Sequence, residues 1–158
     1  MQGLRHSKEM SEVHILVVDD FIPWQRFVAE ILEPEPDLKI ISVAPDGHEA
    51  VQQARQLQPD LILMDVSLPG LNGYEATREI RSFAPACKIL FVSEHRSGEL
   101  VEAAFNAGAC GYVVKLDSYS DLIPGIRAAL LGRRFVSRSL RNWRRSRRRE
   151  RGVGDRDE

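Results

Sequence analysis

Five short apolar runs punctuate the first 115 residues: Ile15 to Val18, Ile40 to Val43, Leu61 to Met64, Ile89 to Val92 and Tyr112 to Val114. Most lack polar alternation, the pattern of strands buried on both faces. The intervals between them carry helical spacing. Trp24, Phe27, Val28, Ile31 and Leu32 recur at i, i+3, i+4, i+7 and i+8. Val51, Ala54 and Leu57 mark a second helix that ends before Pro59. Gly73 to Phe83, Gly98 to Ala107 and Ser118 to Leu131 hold three more, with Pro124 and Gly125 early in the last. Strand and helix alternate five times. The expected fold is α/β: a doubly wound, five-stranded parallel sheet with helices on both faces and right-handed crossovers.

Charge divides the chain. Residues 133–158 hold 11 basic and 4 acidic residues, a net +7, whereas residues 1–132 hold 11 basic and 19 acidic, a net −8. The pattern predicts an N-terminal disordered segment over 1–12, one folded domain over 13–132 and an Arg-rich flexible tail over 133–158. Cys87 and Cys110 lie in apolar surroundings and read as small core residues of a reduced, intracellular protein. The N-terminus lacks the apolar region of a signal peptide, and no apolar run approaches the roughly 18 residues of a membrane span. A cytoplasmic location with no membrane contact follows as the expectation.

In a doubly wound sheet, ligands bind beyond the carboxyl ends of the strands. Those ends are rich in chemistry. The first run is followed by Asp19 and Asp20, the third by Asp65, the fourth by Ser93 and the fifth by Lys115. Three carboxylates on one rim repel one another and resist ionisation. A divalent cation relieves that conflict, and hard oxygen donors with room for water and a phosphoryl oxygen point to Mg²⁺. Phosphoryl transfer asks a protein chiefly for positioning and charge neutralisation. The cation supplies these on one side; Lys115 and the Ser93 hydroxyl supply them on the other. Each residue also has a plainer reading alone: Asp19 or Asp20 as a helix cap, Asp65 and Ser93 as turn formers, Lys115 as a solvated cation, Tyr112 as packing. Five such residues at strand ends in one chain favour the joint reading. The four histidines show no zinc-ligand spacing.

The stretches ILVVDD, LILMDVSLPGLNGYEATREIR, KILFVSEH and GYVVK resemble a two-component response regulator receiver domain, of flavodoxin-like, CheY-like fold, over roughly residues 13–132. The resemblance implies Asp65 as phosphoacceptor, Asp20 as direct Mg²⁺ ligand and Asp19 as its acidic partner through metal-bound water. It implies a backbone carbonyl from Ser67 to the metal, Ser93 and Lys115 on the phosphoryl group, Ser93 and the aromatic Tyr112 as the switch residues, and Pro69 and Gly73 in the turn after the acceptor strand. It further implies a sensor histidine kinase or phosphotransfer protein as donor, an output protein whose identity the sequence does not give, and self-catalysed phosphorylation and dephosphorylation instead of conventional enzymatic turnover. A homodimer is compatible with it.

Leu116 stands where many receivers carry proline after the lysine. The stretches LDSYSDL and GRRFVS resemble the branch that carries a LuxR/NarL-type helix-turn-helix, yet the 26 residues after Gly132 lack the apolar helices such a unit needs. A transcriptional regulator truncated before its DNA-binding domain is therefore the alternative. The tail, with Trp143 beside Arg144, Arg145, Arg147, Arg148 and Arg149, predicts at most weak, sequence-independent nucleic-acid contact. Two other classes fit less well. A haloacid dehalogenase-type phosphatase needs a second Asp at the position of Ser67, and a phosphorylation-independent binding module has no use for the acidic pair, Asp65 and Lys115.

Overall fold

The computed structural model describes residues 12–142. The chain runs β1 (Val13–Val18), α1 (Ile22–Leu32), β2 (Leu38–Ala44), α2 (Gly47–Leu57), β3 (Leu61–Met64), α3 (Gly73–Phe83), β4 (Lys88–Ser93), α4 (Gly98–Ala107), β5 (Gly111–Val114), a 3₁₀ turn (Lys115–Asp117), α5 (Ser118–Leu130), β6 (Phe135–Val136) and a second 3₁₀ turn (Arg138–Leu140). All strand pairs are parallel, in the order β2-β1-β3-β4-β5-β6.

The absence of polar alternation in the strands has a direct explanation. Ile15, Val17, Leu61, Leu63, Leu90, Val92 and Val113 project to one face, where Trp24, Val28 and Leu32 of α1 and Leu122, Ile126 and Ala129 of α5 cover them. Leu16, Val18, Ile62, Met64, Ile89, Phe91, Tyr112 and Val114 project to the other, beneath α2, α3 and α4. Neighbouring strand residues alternate between two cores, so nearly every position is apolar. The helices are stopped locally. Asp46 and Asn72 cap α2 and α3 by accepting from Glu49 N–H and Glu75 N–H at 2.8 and 3.0 Å. Gln58 and Gly108 end α2 and α4 in the left-handed region. Pro124 sits in the interior of α5, deeper than its sequence position predicts, and the helix continues because Leu122, Ile126 and Ala129 anchor it to the sheet.

The sheet has six strands where the sequence pattern predicts five. The sixth, Phe135–Val136, pairs with Gly111 and Tyr112 of β5, and it falls in the segment expected to be flexible tail. Its two residues lie between arginines and serines and make no apolar run; its pairing comes from backbone hydrogen bonds that composition does not reveal. Residues 1–11 of the expected N-terminal segment, and Trp143 with the arginine cluster, lie outside the described residues. Among the described residues, no helix is long and apolar enough to cross a membrane.

Ile80, fully buried, carries α3 onto the sheet beneath the β3–α3 loop. Ile80→Ala should lower unfolding stability by about 2–5 kcal/mol through lost transfer energy and a residual cavity. Denaturant titration measures this directly.

Candidate functional site

β1 lies between β2 and β3, so the chain winds outward from β1 in both directions. The carboxyl ends of β1 and β3 therefore flank the point where the winding reverses, the place a doubly wound sheet opens a crevice. Asp19 and Asp20 follow β1 and Asp65 follows β3, with ligand oxygens within 4.8 Å of one another. A cavity of about 140 Å³ opens among Asp19, Asp20, Asp65, Ser67, His95 and Lys115. It joins all three predicted carboxylates to the predicted lysine.

The local backbone holds each group. Asp65 N–H donates to the Val18 carbonyl at 3.0 Å and so extends the β1–β3 ladder by one rung. Asp19 Oδ1 accepts the Phe21 N–H at 2.9 Å, and the Asp19 carbonyl accepts from Gln25 Nε2 at 2.7 Å. Asp19 does not cap α1, whose N-cap residue is Phe21: one Asp19 oxygen closes the turn before the helix while the other meets Lys115. Gly73 N–H donates to the Val66 carbonyl, and a Cβ on Gly73 would lie 2.1 Å from the Asp65 carbonyl oxygen. The loop after β3 closes on the Asp65 backbone because that position has no side chain.

Lys115 crosses the site from the end of β5. Its Nζ is 2.7 Å from Asp19 Oδ2 and 3.8 Å from Asp65 Oδ2. The ammonium also stands 4.9 Å from the Trp24 ring centroid, so a residue read from sequence as packing also forms a wall beside the cation. Asp65 is 7% exposed, and burial raises its pKa to about 6. Lys115 opposes that rise, the charge of Asp19 adds to it, and the N–H groups of Val66 and Ser67 favour the ionised form. Asp20 is exposed at the mouth.

Ser93 and Tyr112 stand behind the cavity. Both are fully buried, and neither lines it. Ser93 Oγ accepts the His95 N–H at 3.1 Å, and the Tyr112 hydroxyl donates to the His95 carbonyl at 2.7 Å. Tyr112 points inward, and burial pushes its pKa up. His95 reads as surface filler in the sequence, yet its peptide groups bridge the two predicted switch residues, a role no side-chain motif encodes. Its ring lies 3.4 Å from Ser67 Oγ, across the cavity mouth.

A family model for the response regulator receiver domain matches residues 15–127. The chain belongs to that family. This receiver is 32% identical over 125 residues to the response regulator GacA of Pseudomonas viridiflava, covering 79% of this chain and 58% of GacA. It is 35% identical over 130 residues to the transcriptional activator protein ExaE of Pseudomonas putida, covering 80% of this chain and 59% of ExaE. The receiver thus spans under two thirds of the length of these relatives. Among solved structures, a LuxR-family two-component response regulator from Aurantimonas sp. SI85-9A1 superposes with a TM-score of 0.79 at 34% identity, covering 89% of this chain and 98% of that one. The response regulator domain of Thermotoga maritima CheB gives 0.70 at 30% identity, covering 76% and 97%.

The raised Asp65 pKa has a stability consequence with a definite sign. In the unfolded chain the group titrates near 3.9, and in the folded receiver near 6. The folded state binds the extra proton in that window, so stability falls as pH rises from about 4 to 6. Without metal, Asp65→Asn should stabilise the receiver at pH 7 by up to about 3 kcal/mol. The gain should shrink as pH falls through that window, as thermal melts at both ends will show.

Proposed function

We propose that this receiver accepts a phosphoryl group on Asp65 from a sensor histidine kinase or phosphotransfer protein in the cytoplasm, and signals to an output partner by a conformational switch. The observation that carries the reading is the juxtaposition of three carboxylates with one lysine at the sheet's switch point, with Asp65 at the floor of a cavity.

The donor set suits Mg²⁺: the hard oxygens of Asp19, Asp20 and Asp65 lie within 4.8 Å of one another, and by the family resemblance Asp20, Asp65 and the Ser67 carbonyl would hold the ion directly, with Asp19 acting through bound water. When bound, the cation neutralises carboxylate charge and the developing charge on phosphoryl oxygens. The chain's own residues do the rest. The ionised Asp65 oxygen attacks phosphorus; a bond from phosphorus to the donor nitrogen breaks as the acyl phosphate forms. The Lys115 ammonium stays at the site throughout and turns from the Asp19 oxygen to the new phosphoryl oxygens. The buried Ser93 hydroxyl turns from the His95 N–H toward the phosphoryl group. That movement releases the β4–α4 loop, to which Tyr112 is also tied, and shifts the population of the α4–β5–α5 surface. The receiver acts as a phosphoacceptor that promotes its own phosphorylation and dephosphorylation.

The 59% coverage of ExaE favours a second reading of the output alone, in which the switch controls a DNA-binding unit in a transcriptional regulator. Capture of a separate protein that depends on beryllofluoride and Mg²⁺ would favour docking over it.

Acetyl phosphate with Mg²⁺ should label the receiver once, and Asp65→Asn should abolish the label while preserving the fold. Stoichiometric labelling of Asp65→Asn would sink the assignment. Mg²⁺ should raise the melting temperature by mass action. Asp20→Ala should remove most of that rise while stabilising the metal-free protein, because it takes one charge from a repelling cluster. Labelling that proceeds in excess chelator, with no Mg²⁺ effect on melting, would contradict the metal assignment.

A further inference from the structure

The sixth strand lies directly against the strand that carries Tyr112. Tyr112 and Val136 are partners in the parallel register. Ser137 N–H donates to the Tyr112 carbonyl at 2.9 Å, and Ser137 Oγ accepts the Val114 N–H at 2.8 Å. Partner residues on adjacent strands project to the same face, so Val136 flanks Tyr112 on the side away from β4. Leu140, 8% exposed, packs into the same apolar cluster as Tyr112. The approach depends on Gly111, where a Cβ would lie 2.6 Å from the Phe135 carbonyl oxygen.

Further contacts fasten this segment across three elements. The Arg134 guanidinium stands 4.5 Å from the Phe105 ring centroid of α4. The Arg138 N–H donates to Asp121 of α5 at 2.9 Å, and that carboxylate is 2% exposed. The Ser139 hydroxyl donates to Asp117 at 2.5 Å. Without the segment, β5 would be the sheet edge, past which an aromatic ring can leave the core. With it, Tyr112 is fully enclosed, its hydroxyl on the His95 carbonyl.

We propose that residues 135–140 form a strap coupled to the Asp65 site, in which Val136 and Leu140 are positioning residues that hold Tyr112 inward. The inference rests on the phosphoacceptor reading above. Val136 and Leu140 close the side of Tyr112 away from β4, so strap docking and the inward ring favour each other. If phosphoryl occupancy favours the inward Tyr112 described here over an outward one, occupancy and docking strengthen each other by the same factor. The strap leads straight into Arg141 and the arginine-rich segment. The state of Asp65 then governs how firmly the root of that basic segment is held.

The test uses the full chain with Trp143→Phe, which leaves Trp24, the chain's other tryptophan, as reporter beside Lys115. Beryllofluoride is titrated at saturating Mg²⁺ into the parent and into the Val136→Ala/Leu140→Ala variant. The variant's apparent affinity should fall about 5- to 50-fold, within the usual span of coupling between sites, while Mg²⁺ alone binds both equally. In the parent, beryllofluoride should slow hydrogen exchange at the Ser137 and Arg138 amides. Asp121→Asn, which loosens the strap without a core cavity, should shift affinity the same way and serves if the double variant does not fold. A parent that responds to beryllofluoride, with unshifted variants and unchanged amide exchange, overturns the strap while leaving the receiver reading intact. A parent that shows no beryllofluoride response overturns both.

Discussion

One ammonium group organises this protein's functional end. Parallel strand order brings Asp19 and Asp65 to the same rim, and burial makes their charges costly. Lys115, arriving from β5, offsets that cost by bonding Asp19 and standing near Asp65. A single lysine cannot satisfy three carboxylates, so the cluster stays short of positive charge. That deficit is the chemical property of the site: an acidic pocket in which burial raises the pKa of Asp65 to about 6 despite the nearby ammonium.

The same constraint reaches the rest of the domain. Lys115 begins the turn after β5, and β5 also carries Tyr112. Tyr112 is tied through the His95 carbonyl to the loop whose N–H is held by Ser93. On its other side β5 carries the sixth strand, which pins α4 and α5 through Arg134 and Arg138. Lys115 of the acidic pocket, Tyr112 and the pairing that holds the chain leaving the domain therefore share one short strand. Ser93 and Tyr112, behind the Asp65 cavity, are linked by two hydrogen bonds through one residue, His95.

Much of this was legible in the sequence, for a physical reason. Strands buried on both faces appear as uninterrupted apolar runs, and in a doubly wound sheet the residue after each run lies at the site, so Asp19, Asp65 and Lys115 could be read as one constellation before any coordinates. What stayed hidden depends on backbone geometry. Phe135–Val136 is too short and too flanked by charge to signal a strand, although Gly111, small where an apolar strand residue is expected, marks the close approach. His95 matters through its N–H and carbonyl, which every residue possesses. Trp24 sits at a helical core position, and only the fold reveals that its ring meets Lys115.

Central to this account is a buried Asp65 whose pKa burial pushes up to about 6 against the lowering influence of Lys115. The most direct measurement is the ¹³C titration of the Asp65 carboxyl carbon in the metal-free protein, in the parent and in Lys115→Met. The account predicts a midpoint near 6 in the parent, and a higher one in Lys115→Met because the lowering influence of the ammonium is lost. A parent midpoint near the ordinary 3.9, or one that Lys115→Met leaves in place, would contradict it.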